Sequence, residues 1–111
     1  MRKYKNTLQK GSARYIVFQE FGTWYAAGLE FNIVESGDTP EEAMLLLFEA
    51  LSGYVEAAKK IKARPKILNQ KVDSEYEVMW GDIQKQKSSR NIYASGELNI
   101  NRILSRSMVP A

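Results

Sequence analysis

The sequence contains no cysteine and no histidine in its 111 residues. The first absence excludes disulfide bonds, thiol nucleophiles and thiolate metal ligands, and it is compatible with a reducing compartment. The second removes the imidazole base on which most nucleophilic triads depend. We therefore expect a protein that is not an enzyme and that holds neither a metal ion nor a cofactor.

Long hydrophobic runs are also absent. No segment approaches the roughly 18 to 20 uninterrupted apolar residues of a membrane span, and no apolar run follows the basic N-terminal residues as a signal peptide requires. These patterns predict a cytoplasmic protein with no membrane partner. The length predicts one domain over residues 14–104, preceded by a basic arm or extra strand over 1–13 and followed by a frayed tail over 105–111.

Basic residues are missing from the centre of the chain. Residues 15–58 carry eight acidic and no basic side chains, whereas residues 1–14 carry five basic and residues 59–72 six basic side chains, with no acid in either flank. A negative centre between positive flanks can steer association with charged partners and can favour self-association. Solvated helix and strand faces produce the same pattern, so both interpretations stay open.

The pattern of β-branched and aromatic residues predicts three strands that follow one another closely, over 14–20, 24–29 and 31–35. Such short connections favour an antiparallel meander, because parallel pairing needs a crossover of a dozen or more residues. One or two further strands are predicted within 91–94 and 98–103. The fold class is therefore α+β, with three or four mainly antiparallel strands packed on one long helix, plus a short second helix and a C-terminal strand.

The long helix has the clearest local signal in the sequence. Thr39 is a good N-cap, Pro40 suits the first helical position, and Glu42 falls where a capping-box carboxylate reaches back. This helix is predicted over 40–62, before Arg64-Pro65. Its apolar stripe is expected to face the sheet through Leu47, Leu51, Tyr54 and Ile61.

The second helix is predicted over 74–85. Ser74 and Glu77 have the spacing of another capping box. An apolar face then follows at helical spacing, and it is expected to dock on this domain or on a second subunit. That face comprises Tyr76, Met79, Trp80 and Ile83.

The start of the long helix resembles the HicB antitoxin family at Gly37-Asp38-Thr39-Pro40-Glu41-Glu42-Ala43, followed by Ala50, Leu51 and Tyr54. The resemblance covers residues 14–62 and implies part of a ribonuclease-H-like fold. It also implies a dimer or higher oligomer that neutralises a small basic ribonuclease toxin, HicA, by covering its RNA-binding surface. The segment after Arg64 matches no helix-turn-helix or ribbon-helix-helix module, which indicates a stand-alone form.

Two sets of side chains are candidate contacts. Those expected at an oligomer or partner surface are Trp24, Tyr25, Met44, Phe48, Val55 and Trp80. In the alternative function, an oligomeric regulator that binds nucleic acid, the phosphate contacts are Lys59, Lys60, Lys62 and Arg64. A third reading, a diverged nuclease, would need the carboxylates Glu35, Asp38, Glu41 and Glu42 to converge on metal. Turn formation and helix capping explain those acids better.

Overall fold

The computed structural model of this chain describes residues 5–8, 10–87 and 91–102. The tail expected over 105–111 lies outside these described residues. No helix among them is long and apolar enough to cross a membrane.

Within the described residues, four strands form one sheet in the order β3-β2-β1-β4, and every neighbouring pair is antiparallel. They are β1 Ser12–Glu20, β2 Thr23–Gly28, β3 Ile33–Gly37 and β4 Asn91–Asn99. The fold-class prediction is thereby confirmed. Of the one or two strands expected within 91–94 and 98–103, the described residues form a single strand, β4, which pairs with β1 from Asn91 to Asn99.

Helices cover both faces of the sheet. Helix α1, Pro40–Lys60, packs against Ala13 and Val17 of β1. Helix α2, Ser74–Gln84, packs against Ile16 and Phe18, which point to the opposite face because side chains alternate along a strand. The apolar face of α2 is therefore docked on its own domain. A short 3₁₀ helix, Pro65–Leu68, lies between the two helices in the chain.

The core on the α1 side is built around a close approach between helix and sheet. Leu47 and Leu51 are fully buried there, as predicted. A Cβ atom on Gly28 would lie only 2.9 Å from Cδ2 of Leu51, so glycine at this position lets the leucine pack directly on β2. The expectation for Ile61 is wrong: α1 ends at Lys60, and Ile61 is the C-cap with 75% of its surface exposed.

The two helix starts differ in how well the sequence predicted them. At α1, Thr39 Oγ1 accepts a hydrogen bond from Glu42 N at 3.1 Å, and Glu42 Oε1 accepts one from Asp38 N at 3.0 Å. At α2 the N-cap is Asp73, whose carboxylate accepts from Glu75 N, and Ser74 is the first helical residue. The expected capping box at Ser74 is therefore wrong.

Arg14 links the sheet to α2. Its backbone N and Nε both donate to the buried carboxylate of Glu30, each at 2.7 Å. Its Nη1 and Nη2 donate to Glu77 at 2.7 and 3.2 Å, and its guanidinium lies 5.4 Å from the centre of the Trp80 ring. The hydrogen bond from Arg14 lowers the pKa of Glu77 below its ordinary value. Glu77, expected at a helix cap, instead holds α2 against β1.

The described part of the N-terminal arm is held by one buried asparagine. Asn6 Nδ2 donates to Leu68 O at 2.8 Å, and Asn6 Oδ1 accepts from Ser12 N at 2.8 Å. The backbone of Asn6 also exchanges two hydrogen bonds of 2.9 Å with the side chain of Asn69. These bonds fix the arm beside the 3₁₀ helix, and β1 begins only at Ser12.

Candidate partner-binding surface

Three segments meet at one end of the molecule, which we call the hairpin end. The turn between β1 and β2 lies there, since Glu20 pairs with Thr23. Next to it, Trp24 of β2 pairs with Gly37 at the end of β3, and α1 begins three residues later. Side chains from the turn, the end of β3 and the first turns of α1 are thus brought together although no single element carries them.

The tip of the hairpin is a two-residue turn made by Phe21 and Gly22, both with left-handed backbones (φ 51° and 81°). Two positive φ values in succession define the tight turn that matches the twist of paired strands, and this turn strongly prefers Asn-Gly or Asp-Gly. Gly22 suits it, whereas a phenylalanine at the first position is unusual. The Phe21 side chain is 99% exposed.

Apolar side chains of β2, β4 and α1 are also partly exposed at this end. The Trp24 and Tyr93 rings meet edge to face, with centroids 6.2 Å apart. Tyr93 is the extra residue of a bulge, because Val17 pairs with Ala94 while Phe18 pairs with Ile92. Tyr93 is 45% exposed, and Leu45 in the second turn of α1 is 55% exposed. We call Phe21, Trp24, Leu45 and Tyr93 the hairpin-end surface.

Residues 15–58 contribute only acidic charges to this end of the molecule. Seven of the eight acids in residues 15–58 keep access to solvent, and the exception is Glu30, which is buried with Arg14. No lysine or arginine occurs in that stretch, so the turn, the end of β3 and the first turns of α1 are purely acidic. The acids closest to this end in the fold are Glu20, Glu35, Asp38, Glu41 and Glu42.

The pKa of the Tyr93 phenol responds to this negative charge. The negative charge of Glu41, aided by desolvation and a hydrogen bond, raises the pKa of Tyr93 above its ordinary value near 10. We expect Glu41→Gln to bring that pKa down toward the ordinary value, because the phenolate would no longer form beside a carboxylate. Ultraviolet titration checks this, with the Tyr93→Phe variant subtracted to isolate the signal of one tyrosine. An unchanged pKa in Glu41→Gln would show that the Glu41 carboxylate does not act on the Tyr93 phenol.

The predicted partner contacts are divided between the two faces of the sheet. Trp24, Met44 and Phe48 lie half-buried on the α1 side, where Phe48 meets the Tyr15 ring edge to face at 5.3 Å. On the α2 side, Tyr25 stacks on Phe18 at 5.7 Å and Trp80 lies under Arg14. They do not form one patch.

Val55 requires a correction. Its side chain is fully buried between α1 and the sheet, so it is not available to a partner. The buried cluster that contains Val55 also includes Phe31 and Leu68, which lie outside the strands. Residues beyond the sheet therefore help to build the core in which Val55 is buried.

The basic candidates lie together and exposed around the C-terminal end of α1. They are Lys59, Lys60, Lys62 and Arg64. This end is separated from the acidic first turns by the length of the helix, so opposite charges mark its two ends. Among the described residues, no group of three or more acids converges in the way that a metal site needs. Glu42 caps α1 instead.

Sequence reasoning missed Phe21, Leu45 and Tyr93. Phe21 carries a usable signal, because Phe-Gly stands where a two-residue hairpin prefers Asn-Gly. Tyr93 carries none, since its place beside Trp24 depends on a bulge between strands that are distant in sequence. Comparison with protein-family models, curated proteins and solved structures finds no match to this chain.

Proposed function

We propose that this chain is a non-enzymatic antitoxin of the HicB type, which neutralises a small basic ribonuclease by covering its RNA-binding surface. The observation that carries the proposal is the hairpin-end surface, where exposed apolar side chains stand among carboxylates and no basic residue of 15–58 interrupts them. The resemblance at residues 37–43 supplies the identity of the partner.

Charge and apolarity together favour a basic protein as the partner. Apolar and aromatic side chains provide the buried centre of a protein interface, and surrounding charges of one sign steer a partner of the other sign. A ribonuclease must present positive charge where it binds RNA phosphates. The acidic end of this chain is complementary to such a surface and competes with RNA for it.

Self-association is part of the proposal. Strand β4 lies at the edge of the sheet and is nine residues long, whereas the opposite edge strand, β3, has five. Ile100 N donates to Gly11 O on the β1 side, and ladder bonds alternate along an antiparallel strand. The backbone groups of Ser95 and Glu97 therefore point outward, where the β4 of a second copy can pair with them. We place this oligomer in the cytoplasm.

The test is co-expression with a small basic ribonuclease of the HicA type, which the proposal predicts in a neighbouring reading frame. The wild-type chain should restore growth and co-purify with the toxin. A variant combining Glu35→Gln, Asp38→Asn and Glu41→Gln should associate about tenfold more slowly at low salt, because electrostatic steering is lost. The matched control, Lys59→Gln with Lys60→Gln and Lys62→Gln, should neutralise the toxin as well as the wild type does.

Two results would contradict the proposal. One is a wild-type chain that neither binds the toxin nor restores growth. The other is salt-sensitive binding to duplex DNA that disappears in the lysine variant, which would assign the function to the basic end of α1 and to nucleic acid. The exposed cluster Lys59, Lys60 and Lys62 is the observation that favours this second candidate.

A further inference from the structure

Phe21 combines two features that stability alone does not explain. Its ring is 99% exposed, so it contributes no burial to the core. Its backbone is left-handed (φ 51°), a conformation that is unfavourable for a bulky residue. Asparagine or aspartate would make the same turn with less strain. Strained backbone conformations persist most often at sites of function.

We infer that Phe21 is the anchor residue of the hairpin-end surface and inserts into an apolar pocket on a basic partner protein. The inference rests on the proposed function and names the contact through which it acts. Aromatic side chains are frequent anchors in protein interfaces. The turn holds Phe21 at its tip between paired residues, Glu20 and Thr23, so little backbone freedom is lost when the ring is buried.

The charges around the tip select the class of partner. Glu35 and Asp38 lie on β3 and in the loop after it, beside the strand that follows the tip. Carboxylates in these places repel the phosphates of nucleic acids and of anionic lipids, which argues against base stacking and against insertion into a membrane. Lysine and arginine around an apolar pocket would instead pair with them.

The experiment measures stability and binding in the same variant. Phe21→Asn should raise the melting temperature of the free chain by a few degrees, since asparagine tolerates the left-handed backbone. The same change should weaken binding to a purified HicA-type ribonuclease by about 30-fold, the loss typical of an interface anchor. A stabilised protein that binds poorly cannot owe its defect to unfolding.

Two further variants serve as controls. Phe21→Trp keeps a large aromatic ring at the tip and should retain binding within a few fold. Val78→Asn makes a comparable apolar-to-polar change at a position 63% exposed on α2, which covers the face of the sheet opposite Trp24. It should leave binding unchanged.

The outcomes separate this inference from the proposed function. If the wild-type chain binds the ribonuclease and Phe21→Asn binds equally well, the anchor role is overturned while the antitoxin function stands. If the wild type does not bind at all, both fail together. Sedimentation of the free proteins completes the test, because a wild-type dimer that becomes a monomer in Phe21→Asn would assign the tip to a second copy of this chain.

Discussion

Replacing Glu30 with alanine is expected to lower the free energy of unfolding by about 3–5 kcal/mol, the usual cost of removing one partner from a buried ion pair. Glu30 is only 6% exposed, and its two carboxylate oxygens accept from the backbone N and from Nε of Arg14. Without them Nε and the backbone N of Arg14 lose their acceptors, and the more exposed Glu77 is the carboxylate left beside the guanidinium. Urea denaturation followed by tryptophan fluorescence measures the change.

Three companion variants show whether the cost comes from the buried charge. Glu30→Gln keeps an acceptor oxygen and should lose less than Glu30→Ala. Glu77→Ala removes the more exposed partner, whose side chain is 50% accessible, and should cost about 1 kcal/mol or less. Replacing both buried partners, Arg14→Met with Glu30→Leu, should recover much of the stability. Equal losses at Glu30 and Glu77 would show that burial does not set the energy.

Shortening Leu51 to alanine is expected to destabilise the protein by about 2–5 kcal/mol, because the change removes buried methyl groups and leaves a cavity between α1 and β2. Leu51 is fully buried. Leu45→Ala is the matched control, since it makes the same change on the same helix at a position 55% exposed, and it should shift stability by no more than about 0.5 kcal/mol. Thermal unfolding followed by circular dichroism compares the two variants.

Substitutions at Gly28 provide a second test of the Leu51 packing. Gly28→Ala alone should destabilise the protein, because its Cβ would lie 2.9 Å from Leu51 Cδ2. In the Leu51→Ala background the added methyl group enters the cavity, so the double variant should be more stable than the sum of the single changes predicts. Additive losses would mean that Leu51 does not fill the space above Gly28.

The elements that sequence predicted well are those whose signals are local. Thr39, Pro40 and Glu42 lie within one helical turn of one another, so their spacing alone identified the start of α1. The hairpin formed by β1 and β2 was likewise visible, because its two strands are separated by a two-residue turn. Even here the ends moved by one or two residues, as at β3 and at the end of α1, where local preferences change gradually.

The contacts that sequence reasoning missed join residues far apart in the chain. Arg14 and Glu77 are 63 positions apart, as are Asn6 and Asn69. No spacing rule relates such pairs, and sequence alone indicated other roles for their side chains. Glu77 fits a capping box, and Asn6 lies in a segment predicted to be a basic arm. Only the packing of α2 and of the arm against the sheet shows which role Glu77 and Asn6 have.

The sequence by itself determined the α+β class, the meander and its following helix, and the separation of charge, since each depends on residues close together in the chain. Tertiary structure decided that α2 covers the opposite face of the sheet, that Glu30 is withdrawn from the acidic surface, and that Phe21 and Tyr93 share one end with the first turns of α1. The reason is that burial and surface proximity depend on how elements far apart in the chain pack against one another.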